Sequence, residues 1–137
     1  MMKKSSIAFL IILLLSGTLM VIFVRPIYYF GNIQKFTVLE LTSSKGVEVS
    51  IPSSSELLAL LENHPVRRSL NLSRIATSIV PSNDYILITF ISNENTLKKT
   101  IVIDLELLSA VIPSNANSFI DYHFVEPSRF IEEFLNL

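Results

Sequence analysis

An apolar run without a single charge, residues 7–24, constrains this chain more than any other feature. Only Ser16, Gly17 and Thr18 interrupt it. As a helix rising about 1.5 Å per residue, the run would span roughly 27 Å, close to the roughly 30 Å hydrocarbon core of a bilayer. Apolarity on every side is typical of a helix surrounded by lipid. The sequence therefore predicts a transmembrane helix, with the lipid bilayer as the partner of residues 7–24.

The residues that flank this run predict its orientation. Two lysines precede it, and no acidic residue appears before Glu40. Because basic flanks stay on the cytoplasmic side, we expect a single-pass protein of the cell membrane with its N-terminus cytoplasmic and its C-terminal domain extracytoplasmic. Basic and aromatic residues that suit the two interfaces lie at Lys3, Lys4, Arg25, Tyr28 and Tyr29.

Cleavage as a signal peptide is the alternative for the same run. Signal peptides have an apolar region of about 7–15 residues that ends in small residues. The best cleavage position follows Gly17, but Leu15 occupies a place that should be small, and cutting there leaves residues 18–24 as an apolar N-terminus. A retained signal-anchor is the favoured interpretation, and a secreted soluble domain is the second one.

Composition limits what the remaining chain can do. We divide it into an anchor with its interfacial flank, residues 1–30, and an extracytoplasmic domain, residues 31–137. The absence of cysteine removes disulfides, thiolate metal sites and a lipid-modified cysteine. With eight basic and twelve acidic residues the domain has a formal charge of −4. A mildly acidic domain argues against nucleic acid as a partner, since such binding requires a basic surface.

The first half of the domain has patterns of both strands and a helix. FTVLELT and the alternating GVEVSI predict a β-hairpin around the turn SSKG. In PSSSELLALLENHP, Ser53 and Glu56 have capping-box spacing, and Pro65 ends the predicted helix. The residues that follow, up to position 83, are predicted to be irregular.

The second half predicts a hairpin, two further elements and a final helix. DYILITFIS and LKKTIVID form the hairpin, with the first as a central strand. Residues 106–112 fit either a strand or a short helix, and strand is favoured because the segment is short and ends in Val-Ile-Pro. FIDYHFV predicts a strand and EPSRFIEEFLNL a helix. The predicted fold class is α+β: a transmembrane helix followed by a two-layer domain, an antiparallel sheet with helices on one face.

This order of elements, with the closing helix FIEEFL, resembles small bacterial membrane-anchored extracytoplasmic proteins. Some of those have PepSY-like or inhibitor-like two-layer folds. The resemblance covers the whole chain but only at the level of organisation. It implies an accessory protein of the bacterial envelope, and no functional residue carries over from it.

The sequence offers few groups for catalysis or metal binding. The two histidines are His64, at a predicted helix end where the dipole favours it, and His123, two residues after Asp121. On a strand Asp121 and His123 would share a face, but a strand pair without a third ligand is usually structural. No serine lies in a G-x-S-x-G or S-x-x-K context. We therefore predict no enzyme activity, no cofactor and no metal.

Three arginines form the most unusual cluster of the domain. Arg67, Arg68 and Arg74 lie in a stretch without acidic residues, from 63 to 83. Guanidinium groups that converge would bind an anion or an acidic partner, whereas a solvated connection would explain them equally well. The leading functional hypothesis is an accessory or regulatory domain that binds another envelope component. An immunity- or inhibitor-type protein acting at the membrane is the alternative.

Overall fold

The computed structural model describes residues 3–44, 46–70, 84–92, 97–113 and 119–137. Its helices are α1 (Lys4–Val24), α2 (Ser54–Glu62) and α3 (Pro127–Leu135). Its strands are β1 (Phe36–Ser43), β2 (Val66–Leu70), β3 (Tyr85–Ser92), β4 (Lys99–Asp104), β5 (Ser109–Ile112) and β6 (Ile120–Phe124). The chain is α+β, as predicted. The sequence also predicts a turn at SNENT, residues 92–96, and a loop at PSNANS, residues 113–118, and both lie largely outside the described residues.

All described strands belong to one antiparallel sheet in the order β1-β3-β4-β5-β6-β2. The predicted hairpin of β3 and β4 is confirmed, and the ambiguous segment at 106–112 contains a strand, β5. β6 and α3 also form where the pattern placed them. Strand β2 was not predicted, because its sequence VRRSL has no strand pattern and was interpreted as irregular. It pairs with β6 from Val66↔Phe124 to Leu70↔Ile120.

The predicted N-terminal hairpin is wrong. Strand β1 pairs with β3, not with GVEVSI, and residues 47–53 form no strand. The alternation in that segment still reports side-chain burial, because Val47 and Val49 pack against the core while Glu48 is exposed. Periodicity thus identified Val47 and Val49 as facing inward, but the third apolar residue of the alternation, Ile51, is 72% exposed. Periodicity could not show that β3 would take the hydrogen-bonding edge of β1.

One face of the sheet and both short helices enclose the core. Helix α2 begins with the predicted capping box, in which the Ser53 hydroxyl accepts from the Glu56 amide and the Glu56 carboxylate accepts from the Ser53 amide. Phe130 of α3 stacks on Phe124 of β6 with ring centroids 4.2 Å apart. Buried side chains of the helices and of alternate strand positions form one cluster: Leu57, Leu60, Leu61, Val66, Ile86, Ile88, Phe90, Ile101, Ile103, Ile112, Phe124, Phe130, Ile131 and Phe134.

Residues 27–35, which we call the crossing segment, run over the core face of the sheet from one edge to the other. Ile27 forms two backbone hydrogen bonds with Val66 of β2, of 2.7 and 2.8 Å. The Tyr29 ring lies 4.9 Å from that of Tyr122 in β6, and the Tyr29 hydroxyl accepts a hydrogen bond from Lys99 Nζ of β4. The crossing segment therefore covers the part of the core that the two short helices leave open.

Phe30 is the apolar centre of the crossing segment. Its side chain is fully buried, and its ring lies 5.8 Å from that of Phe90 in β3 and 6.2 Å from that of Phe36 in β1. Tyr28, two residues earlier, is 63% exposed. The predicted interfacial flank of the anchor thus contains a residue at the centre of the domain core.

Helix α1 projects from the domain and buries no side chain. At 21 residues it is long and apolar enough to cross a membrane, and it is the one such helix among the described residues. An apolar helix of this kind in the core of a soluble protein would be mostly buried, whereas the side chains of α1 are not. Only Arg25 and Pro26 separate α1 from Ile27, which is already bonded to the sheet.

The strand directions define two ends of the domain. Because Ile27 pairs antiparallel with Val66, the chain before it runs toward Leu70, and α1 contacts β2. The end that adjoins α1, which we call the anchor side, therefore holds the end of β2, the start of β6, the start of β4 and the start of β1. The turn between β4 and β5 lies at the opposite end.

Candidate functional site

The turn between β4 and β5 presents two exposed leucines at the end of the domain opposite α1. Leu107 is 73% exposed and Leu108 is 50% exposed. A carboxylate oxygen of Asp104 accepts hydrogen bonds from the Glu106 amide at 3.0 Å and the Leu107 amide at 2.9 Å. Because Asp104 is buried, this cap fixes the turn to the sheet. We call Leu107 and Leu108 the leucine turn.

The backbone of the leucine turn is strained. Leu108 has φ = 51°, and no other residue except glycine has a positive φ in the described ranges. A left-handed conformation costs a leucine about 1–2 kcal/mol, and asparagine or glycine would be favoured there. Apolar surface is thus held in solvent at a position that suits a polar residue. That combination makes the leucine turn the best candidate for contact with a protein partner.

The predicted arginine patch does not converge in the described part of β2. Arg67 is exposed opposite His123, on the face of the sheet away from the core. Arg68 is opposite Tyr122, and adjacent strand residues point to opposite faces. Arg74 lies outside the described residues. Arg67 and Arg68 therefore lie on opposite faces of β2, and an anion or partner patch that includes Arg74 stays a prediction.

Asp121 and His123 share a face of β6, as predicted, but with different surroundings. Asp121 is buried and His123 is exposed. No hydrogen bond joins their side chains, and no group of three His, Cys, Asp or Glu residues suited to a metal occurs within the described ranges.

His64 takes part in a contact between the two short helices that its sequence position did not indicate. Its ring is 2% exposed, and Nε2 donates a hydrogen bond of 2.9 Å to the Glu133 carboxylate of α3. The edge of the ring meets Phe130, with centroids 5.4 Å apart. Arg129 donates to the other oxygen of Glu133 at 2.8 Å. His64 was predicted to interact with the C-terminal dipole of α2. The structure instead shows that its hydrogen bond to Glu133 connects α2 to α3, a contact that we call the non-covalent cross-link.

The His64 ring is enclosed by the protein. His64 Nδ1 is buried and has no hydrogen-bond partner among the described residues, and its surroundings are aromatic. A histidine sealed in this way cannot reach a substrate proton, because proton transfer needs hydrogen-bond contact. The group stabilises the packing of α2 on α3.

The non-covalent cross-link predicts a stability that depends on pH. Hydrogen bonds from His64 and then Arg129 lower the pKa of Glu133 below its ordinary value. A carboxylate with a lowered pKa stabilises the fold above its unfolded pKa, and this contribution is lost as the pH falls through the folded value. We expect Glu133→Gln to flatten the fall in thermal unfolding midpoint between about pH 5 and pH 3.

The matched control is Glu132→Gln, on the exposed side of the same helix turn. The unfolding midpoint of each variant would be measured at intervals across this range by near-UV circular dichroism. An acid dependence as steep in Glu133→Gln as in the parent chain would show that the Glu133 carboxylate does not link α2 to α3.

The structure places the predicted membrane-interface residues at both ends of α1. Lys3 precedes the helix, Lys4 begins it and Arg25 follows it, and all are exposed. Tyr28 is exposed, as an interfacial residue would be. Tyr29 is half-buried, and its ring contacts Phe30 and Tyr122. It therefore belongs to the domain as much as to the flank of the anchor.

No family model, curated protein or solved structure matches this chain. The resemblance to PepSY-like and inhibitor-like envelope domains stays a prediction.

Proposed function

We propose that this chain is a single-pass membrane protein, N-terminus in and C-terminus out, whose domain binds another envelope component as an accessory or regulatory subunit. The observation that carries the proposal is the joining of an unburied apolar helix to a folded domain through two residues. A helix of this length matches the bilayer, and its exposed apolar surface needs lipid around it. In this proposal the domain acts without catalysis.

The leucine turn supplies the partner-binding surface in this proposal. It lies at the end of the domain opposite α1, where a second envelope protein has access to it. Exposed apolar side chains on a turn fixed by a buried carboxylate suit a preorganised contact, since little conformational entropy is lost on binding. The adjacent exposed Glu106 supplies a charge at the rim of this apolar surface.

Purification from membranes tests the proposal. The full chain would be isolated in mild detergent beside the double variant Leu107→Ser/Leu108→Asn. Asparagine tolerates the positive φ at position 108, so the variant should fold. We expect the parent chain to retain a membrane protein in fixed proportion and the variant to lose it, because its apolar contact is gone.

Leu135→Ser is the matched control, since Leu135 is a leucine of α3 that is 49% exposed. It should retain the partner. A parent chain that purifies as a monomer with nothing bound would contradict the proposal. Equal recovery from the parent and the double variant would locate the binding surface away from the leucine turn.

A further inference from the structure

The anchor side of the domain carries basic and apolar residues together. On this side Lys99 begins β4, Lys98 precedes it and Lys35 precedes β1. None of the described residues that begin or end a strand there is acidic, and Asp121, one residue inside β6, is buried. Acidic residues occur at the opposite end, at Asp84, Asp104 and Glu106, by the turn between β4 and β5. The charge of the domain is thus distributed unevenly along the strands.

Large apolar side chains are exposed on the same side of the domain as these lysines, next to the ends of other strands. Leu70 ends β2 and is 54% exposed, Leu97 precedes β4 and is 59% exposed, and Phe119 precedes β6 and is 44% exposed. With Arg25, Lys35 and Lys98 they make up what we call the anchor-side rim. Glu94 lies outside the described residues.

The link to α1 holds the anchor-side rim close to the end of that helix. Ile27 is hydrogen-bonded to Val66, and only Arg25 and Pro26 lie between the end of α1 at Val24 and Ile27. The crossing segment is itself fixed in the core through Phe30. Two residues reach at most about 7 Å, so the domain cannot move away from the surface that α1 enters.

We propose that the anchor-side rim rests on the membrane surface, where its basic groups bind anionic lipid headgroups and its apolar side chains enter the interface. This inference rests on the proposed function, because it requires α1 to lie in the bilayer. Lysine and arginine near an anionic surface are attracted to it, and exposed aromatic and aliphatic side chains partition into the boundary between headgroups and acyl chains. The rim combines both kinds of group on one side.

Tryptophan fluorescence can locate the rim, because the chain contains no tryptophan. Three single variants of the full chain would be reconstituted in phosphatidylglycerol vesicles that contain lipids brominated on the acyl chain, which quench nearby tryptophan. Leu13→Trp reports α1, Phe119→Trp reports the anchor-side rim, and Leu107→Trp reports the opposite end. We expect quenching of Leu13→Trp and Phe119→Trp and none of Leu107→Trp.

Headgroup charge supplies the second arm of the test. In vesicles that contain the same proportion of brominated acyl chains but only phosphatidylcholine headgroups, quenching of Phe119→Trp should fall by at least about half. The reason is that the attraction of basic residues to anionic lipid is lost. Adding Lys35→Glu and Lys98→Glu should cause the same fall in phosphatidylglycerol. Equal quenching in the two lipids would overturn the recognition of anionic headgroups.

Failure of this inference is distinct from failure of the proposed function. If Leu13→Trp is quenched and Phe119→Trp is not, α1 lies in the bilayer and the rim does not rest on it. If Leu13→Trp is itself unquenched, the proposed membrane anchor is lost and the rim proposal with it.

Discussion

Replacing Phe30 by alanine should destabilise the domain by about 3–5 kcal/mol, the range observed when a buried phenylalanine is truncated in a core. Phe30 is fully buried among Tyr29, Phe36 and Phe90. These three aromatic residues belong to the crossing segment, β1 and β3. The cavity left by the Phe30 ring would lie between these elements, which cannot move together to fill it. Urea unfolding of the full chain in detergent, followed by the near-UV circular dichroism of its tyrosines, measures the change.

Tyr28→Ala is the matched control, because Tyr28 lies in the same crossing segment and is 63% exposed. Its effect should stay within about 0.5 kcal/mol, as for most surface substitutions. A Phe30 variant as stable as the Tyr28 variant would mean that the crossing segment does not belong to the core. In that case the domain would begin at β1.

Single cysteines should be labelled in an all-or-none manner on the two sides of α1. The chain has no cysteine of its own, so Ser5→Cys reports the N-terminal side and Ser55→Cys, on the exposed face of α2, reports the domain. In spheroplasts we expect a membrane-impermeant maleimide to label Ser55→Cys, and Ser5→Cys only after lysis, because Lys3 and Lys4 hold the N-terminus in the cytoplasm.

The same pair of variants separates the alternatives. Labelling of Ser5→Cys from outside would invert the proposed orientation. If the mature polypeptide lacked the cysteine at position 5, the leader would be removed by cleavage and the domain secreted. Labelling of both variants without lysis would show that the chain does not cross a membrane.

Local patterns predicted the elements whose stability is largely local. The apolar run gave α1, the Ser53–Glu56 capping box gave the start of α2, and the Phe130–Phe134 stripe gave α3. Strands β3 and β4 were evident because their apolar residues are continuous and few residues separate the two runs in the sequence. These signals lie within a few residues of the structure they specify.

The missed features depend on residues far apart in the chain. Strand β2 contains two adjacent arginines and shows no alternation, and it is a strand because β6 and Ile27 pair with its two edges. His64 meets Glu133 only after α2 and α3 have packed together. Phe30 looks like part of an interfacial aromatic group until β3 supplies Phe90. A single sequence contains no local signal for such pairings.

The crossing segment also sets the order in which the nascent domain can close. Its residues leave the ribosome before every strand that they cross, and Tyr122 of β6 is synthesised long after Tyr29, which it contacts. Phe30 can contact Phe90 only after β1, α2 and β2 have been synthesised, and contacts so distant in sequence form slowly. During translation Tyr29 therefore cannot pack against Tyr122 until β6 has emerged, although Phe30 can already contact Phe36 and Phe90.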